Sequence, residues 1–167
     1  MTAALDRAGL SRAARALIVV AVLLGLQLGP ARPAGAEPGG LASEMIERVN
    51  QVRAEAGLPP LAEDGNLDAL AIERSADMAA RHYFSHTTPD GLTVFDLLQE
   101  RGLSYRLAGE NLAWNTYDPS RSGAVALQGF LNSPPHRANL LNPEYTVIGV
   151  GVAIDGGRTL FTLVFVG

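Results

Sequence analysis

Two apolar runs near the end of the chain, Tyr145–Ile154 (YTVIGVGVAI) and Thr159–Val166 (TLFTLVFV), constrain the fold more than any other stretch. Both are rich in β-branched and aromatic residues. Asp155-Gly156-Gly157 between them is a turn sequence, so the pair reads as a β-hairpin. A strand with one wet face alternates apolar and polar residues. These runs hardly alternate, so both strands are expected to be covered on two faces.

The upstream segments supply candidate covers. Leu41, Met45, Val49, Val52 and Ala56 recur at helical spacing and form one apolar stripe. Gly57 can close that helix, and Pro59-Pro60 forbids its continuation. A second helix is predicted from about Leu67 to Arg81, with Asn66 or Asp64 as N-cap and Leu67, Leu70, Ala71 and Met78 on one face. A third runs from about Thr93 to Arg101, opened by a capping box of Thr93 and Asp96 and ended by Gly102. A fourth runs from Pro119 to about Leu131, capped by Asp118, with Ala124, Leu127 and Leu131 as its buried stripe. Helices first and an antiparallel hairpin last is an α+β pattern.

The start of the chain has a different character. Arg7, Arg12 and Arg15 give positive charge, Ala16–Leu28 carries none, and Ala34-Gly35-Ala36 offers small residues in an A-x-A arrangement. That order is a secretory signal peptide, with cleavage expected after Ala36. The competing reading, a membrane anchor, needs about 18–20 apolar residues, more than this run holds. Arg12 is not followed by a second Arg, which argues against a twin-arginine signal. The expected organisation is a signal peptide at 1–36, a short linker at 37–40 and one domain at 41–167. The mature chain is expected to be a monomer without a membrane span, secreted or periplasmic, from a bacterium.

Charge and cysteine content narrow the chemistry. The full chain has a formal charge of −4. Removing the leader takes away Arg7, Arg12, Arg15 and Arg32 against one acid, Asp6, so the remainder is more acidic still. Such a domain repels phosphate backbones, which argues against nucleic acid as a partner. There are no cysteines, so an exported domain must hold together by packing alone. Thiolate metal sites, cysteine nucleophiles and thiol redox chemistry are excluded.

The three histidines are then the place to look, since imidazole is both a common metal ligand and a proton shuttle near neutral pH. His82 and His86 are four apart, but Tyr83 stands where a zinc-protease H-E-x-x-H motif needs its glutamate. His82 reads as a solvated residue at a helix end. Glu110, between Gly109 and Asn111, should be partly buried and need a partner. It reads either as a structural carboxylate accepting backbone N–H bonds or as part of a site. Ser133 can cap a short helix starting at Pro134, and His136 then reads either as a loop-bound histidine or as a base beside Ser133. No G-x-S-x-G elbow supports the second option.

Taken in order, His86, Gly109-Glu110-Asn111-Leu112-Ala113, Ser133-Pro134-Pro135-His136-Arg137-Ala138-Asn139-Leu140-Leu141 and Ile148-Gly149-Val150-Gly151 resemble the CAP superfamily. This group includes cysteine-rich secretory proteins, antigen 5 and pathogenesis-related 1 proteins, and the bacterial SCP-like exported branch is the nearest match. The resemblance covers about Leu41 to Gly167. It implies an α-β-α sandwich with a central antiparallel sheet and an open cleft lined by two His and two Glu, the His pair able to bind a divalent metal. By motif, His86 and His136 match the two histidines and Glu110 the first glutamate. Ser133 occupies the apparent place of the second.

The implied metal set is therefore His86, His136 and Glu110, with zinc as the expected ion. Two imidazoles, one carboxylate and open positions suit Zn²⁺, though a metal-free hydrogen-bonded cluster is equally consistent with the residues. Asn111, Ser133, Trp114 and Arg137 are expected to support the cleft walls. The expected function is a binding or interaction module for a small molecule, lipid or envelope partner, and not a conventional enzyme. The alternatives are a metal-dependent, peptidase-like hydrolase outside the cytoplasm and a purely structural envelope protein.

Overall fold

The computed structural model describes residues 37–167; the signal-peptide reading of 1–36 lies outside the described residues. In chain order the elements are α1 (Pro38–Glu55), β1 (Ala62–Glu63), α2 (Gly65–Ala80), α3 (Val94–Glu100), β2 (Ala108–Asn115), α4 (Pro119–Asn132), α5 (Pro134–Leu140), β3 (Val147–Asp155) and β4 (Arg158–Val166). The strands form one sheet in the order β1-β3-β4-β2. The expected hairpin is β3–β4, paired from Val147↔Val166 to Asp155↔Arg158. The sheet is mixed, not purely antiparallel, because the two-residue β1 pairs parallel with β3.

The hairpin strands are covered on both faces, as their composition demands. Ile148, Val150, Val152, Phe161, Leu163 and Phe165 join Leu41, Met45 and Val49 of α1 and Ala126, Leu127 and Phe130 of α4 in the largest core cluster. The opposite face carries α2, whose Leu67, Leu70 and Ala71 pack with Val164. The alternation in Ile148-Gly149-Val150-Gly151 now has a cause. The isoleucine and valine enter the α1–α4 layer, while the glycines face α2. A Cβ on Gly149 or Gly151 would run into the backbone of Leu67 or Ala71. Asp68 fastens the same crossing by accepting the Val150 N–H at 2.8 Å.

Most helix signals operate as written. The Asp64 side chain caps α2, Asp118 caps α4, and Thr93 with Asp96 forms a complete capping box on α3. Three details differ from expectation. Helix α1 begins at Pro38, inside the stretch read as a linker, because proline at the first turn is already set for helix. The inward face at the end of α1 belongs to Arg53, fully buried, while Ala56 is exposed. Arg53 donates to the carbonyls of Pro59, Leu140 and Asn142, each at 2.9 Å, which compensates its buried charge. On α4 the buried face is Ser122, Gly123, Ala126, Leu127 and Phe130, so Ala124 and Leu131 lie on its margin.

Candidate functional site

Strand β2 is the platform of the site. Side chains alternate across a strand, and here the alternation sends Glu110 toward α2 and Asn111 toward α5. Arg74 of α2, only 2% exposed, meets the buried Glu110. Its Nε donates to Glu110 Oε1 at 3.0 Å and its Nη2 reaches Oε2 at 3.5 Å. A buried carboxylate needs such a partner. That partner is a side chain rather than the expected loop N–H groups.

Arg74 also positions the segment that follows α2. Its guanidinium donates to the Ser85 carbonyl at 3.0 Å and to the Tyr83 hydroxyl at 3.1 Å. Tyr83 in turn donates to Asp77 at 2.5 Å. Burial, reinforced by that bond to Asp77, pushes the Tyr83 hydroxyl up to about 12. His82 turns the chain at the helix end with a φ of 54° and is exposed. A bridge between Thr87 and Thr93 closes the far side of the loop. His86 is thereby held with Nδ1 at 2.7 Å from Glu110 Oε2, its side chain 58% exposed.

The second histidine arrives from the opposite layer. His136 lies in the first turn of α5, with its ring edge-on to Phe130 at a centroid distance of 5.4 Å. Asn111, fully buried, donates to the His136 carbonyl at 3.0 Å. Asn139 donates to Asn111 Oδ1 at 2.8 Å and to the Glu110 carbonyl at 3.3 Å. Gly109 keeps this crossing close, since a Cβ there would crowd the Tyr145 hydroxyl and the Asn139 side chain.

The two imidazoles are tuned apart. The hydrogen bond to Glu110 raises His86 above its ordinary value of 6.5, with desolvation opposing. Desolvation lowers His136, and the charge of His86 lowers it further. A pocket of about 260 Å³ opens beside His86, lined also by Thr93, Val94, Phe95, Ala108, Gly109, Glu110 and Asn139. His136 is not one of its walls.

The other expected site residues fall elsewhere. Ser133 is the N-cap residue of α5, but its hydroxyl makes no cap bond. Arg137 lines a groove with Leu131, Asn132 and Leu141, and His86 is not among the residues of that groove. Trp114 stands 49% exposed further along β2. Arg74 and Asn139 are site residues that sequence reasoning misses. Arg74 carries a visible signal: a charge on the apolar face of α2, between Leu70 and Met78.

Among the described residues, no group of three or more His, Asp or Glu side chains is gathered to hold a metal ion. The donor chemistry says why. Both oxygens of Glu110 are engaged by Arg74 and His86. With Glu110 on Nδ1, the neutral tautomer of His86 keeps its lone pair on Nε2. His86 Nε2 and the His136 ring therefore remain as donors, with Glu110 behind the first of them.

Residues 46–166 match the family model described as CAP, the cysteine-rich secretory protein family. The Bacillus subtilis protein YkwD, itself uncharacterized, is 36% identical over 124 residues, which are 74% of this chain and 46% of YkwD. A crystal structure of an extracellular SCP-domain protein from Bacillus anthracis is 37% identical with a TM-score of 0.70, covering 83% of this chain and 44% of that one. An outer surface protein of Borrelia burgdorferi shares the fold at 22% identity and a TM-score of 0.66, over 74% of this chain and 90% of its own. The chain thus spans less than half the length of YkwD and of the Bacillus anthracis protein. Family model, sequence relative and fold agree: this chain belongs to the CAP, or cysteine-rich secretory protein, family.

Proposed function

We propose that this domain is an exported binding module, acting outside the cytoplasm, whose cleft takes a divalent cation on His86 and His136. The observation that carries the reading is the 2.7 Å contact of Glu110 with His86 Nδ1, backed by Arg74. A carboxylate on the far nitrogen of an imidazole fixes its tautomer and raises its basicity, which is how metal-binding histidines are commonly supported. In this reading Glu110 is the outer partner of His86, and water or a ligand group completes the coordination of an ion such as zinc. A bound ion supplies positive charge in an otherwise acidic domain and a point of attachment for an oxygen or nitrogen donor. The natural ligand is then a small molecule, a lipid or an envelope component that reaches the cleft.

The same contacts favour binding over hydrolysis. A general base must be free to take a proton from water, and Glu110 is committed to Arg74 and His86. Among the described residues no helix is long and apolar enough to cross a membrane.

Zinc titration calorimetry on chelator-stripped protein tests the reading. The wild type is expected to bind zinc at about pH 8 and to lose affinity toward about pH 6, because protons compete for the imidazoles. His86→Ala and His136→Ala should each abolish most of the affinity. Glu110→Gln, which removes only the outer partner, should weaken it about 10–100-fold. Absence of zinc binding by the wild type at about pH 8 would overturn the metal reading.

A further inference from the structure

We infer that the free edge of β2 binds an extended peptide, which adds to the sheet as a further strand beside β2. The inference deepens the binding-module reading and rests on it, because the edge borders the pocket beside His86.

The hydrogen-bond phase of the sheet carries the argument. Leu107 and Gly167 exchange both backbone bonds, each at 2.9 Å. The β2–β4 register continues from there as Ala108↔Val166, Gly109↔Phe165 and Glu110↔Val164. In an antiparallel pair, alternate residues point their N–H and C=O groups toward the partner and the others point away. Gly109, Asn111 and Ala113 therefore face β4, while Ala108, Glu110, Leu112 and Trp114 present their backbone to the open side. The Glu110 carbonyl agrees with this phase, since Asn139 meets it from that side.

Around the pocket this leaves Ala108 N–H, Ala108 C=O and Glu110 N–H. Among the described residues none of these meets a backbone or side-chain partner, and β2 has no strand on that edge. The usual protections of an edge are weak at this end: there is no proline or basic residue in β2, and the Glu110 carboxylate is turned inward. Donor, acceptor and donor at this spacing match an extended polypeptide, which repeats the complementary groups every second residue. Val94 and Phe95 offer apolar contact alongside. Phe95 is 44% exposed and paired with Tyr105 at a centroid distance of 6.5 Å. Asn139, already on the Glu110 carbonyl, marks where the added strand ends.

The test uses the 37–167 protein, ¹⁵N-labelled, with the blocked peptide acetyl-Thr-Val-Phe-Val-Thr-amide as probe. Binding is expected to shift the Ala108 and Glu110 amide resonances and slow their exchange with solvent. Methylating the peptide nitrogens at one alternate set of residues should weaken binding about tenfold or more, and methylating the other set should leave it nearly unchanged. Ala108→Pro, tolerable on an edge strand, should weaken it likewise. No perturbation at the two amides, or equal loss from both methylated peptides, overturns the inference even if Ala108→Pro fails to fold. Zinc calorimetry on the same sample separates the two readings. Zinc binding without edge protection removes the peptide site alone. Edge protection in a wild type that binds no zinc overturns the metal reading alone.

Discussion

Arg74 and Glu110 are 2% and 3% exposed at their side chains, so neither charge can be left alone. Removing one partner strands the other in the interior. Arg74→Met should destabilise the domain by about 3–5 kcal/mol, whereas Arg74→Met combined with Glu110→Leu should recover much of that loss. Denaturant unfolding of the two variants checks it, and equal destabilisation would mean that packing, not charge, sets the effect. The histidines give a second residue-scale prediction. In metal-free protein, NMR titration should find His86 above the ordinary imidazole value and His136 below it. Because His86 is raised in the folded state, its contribution to stability is fully present below the ordinary value of 6.5 and is lost as pH rises through the raised one. More than half of the ring is in water, so that contribution is small.

At the scale of elements, the hairpin and its glycines are the most exacting part of the fold. Phe161 of β4 is fully buried against the α1–α4 layer, and Phe161→Ala should cost about 3–5 kcal/mol. Gly151→Ala adds only a methyl group, yet that methyl would occupy the backbone of Ala71. It should cost at least about 1–3 kcal/mol by forcing α2 off the sheet. Thermal unfolding that leaves Gly151→Ala at the wild-type midpoint would contradict this packing. These elements are legible in the sequence because their signals are local: β-branched runs, a Gly-Gly turn, Asp and Thr caps. Strand β2 is not, although its Glu110 and Asn111 are. Ala108-Gly109-Glu110-Asn111 has low strand propensity, and it becomes a strand because β4 offers a complete ladder and the flanking layers bury its side chains. The same blindness applies to the site. The motif residues can be named, but the Arg74 contact that occupies Glu110 depends on α2 and β2 meeting across the sheet.

For the whole molecule, two helical layers over one sheet must supply all of the stability, since the chain has no cysteine. Reductant should therefore leave the melting temperature unchanged. Among the described residues, every buried side-chain nitrogen or oxygen has a hydrogen-bond partner, as expected of a domain held by packing and internal polar contacts alone. The start of the fold bears on export. Helix α1 begins at Pro38, and Glu37 is its N-cap residue, with extended backbone. Cleavage after Ala36 would leave the N-cap, the whole of α1 and the Leu41–Met45–Val49 stripe in the mature chain. Cleavage five residues later, after Leu41, would remove that completely buried residue and the first core contact with it. The mature N-terminus is therefore expected at Glu37 or within a residue or two of it. Intact-mass measurement on protein recovered from the culture medium or the periplasm decides this. A mass matching the uncut chain, found in the membrane fraction, would instead make Ala16–Leu28 an anchor and place the cleft of His86 and His136 at a membrane surface.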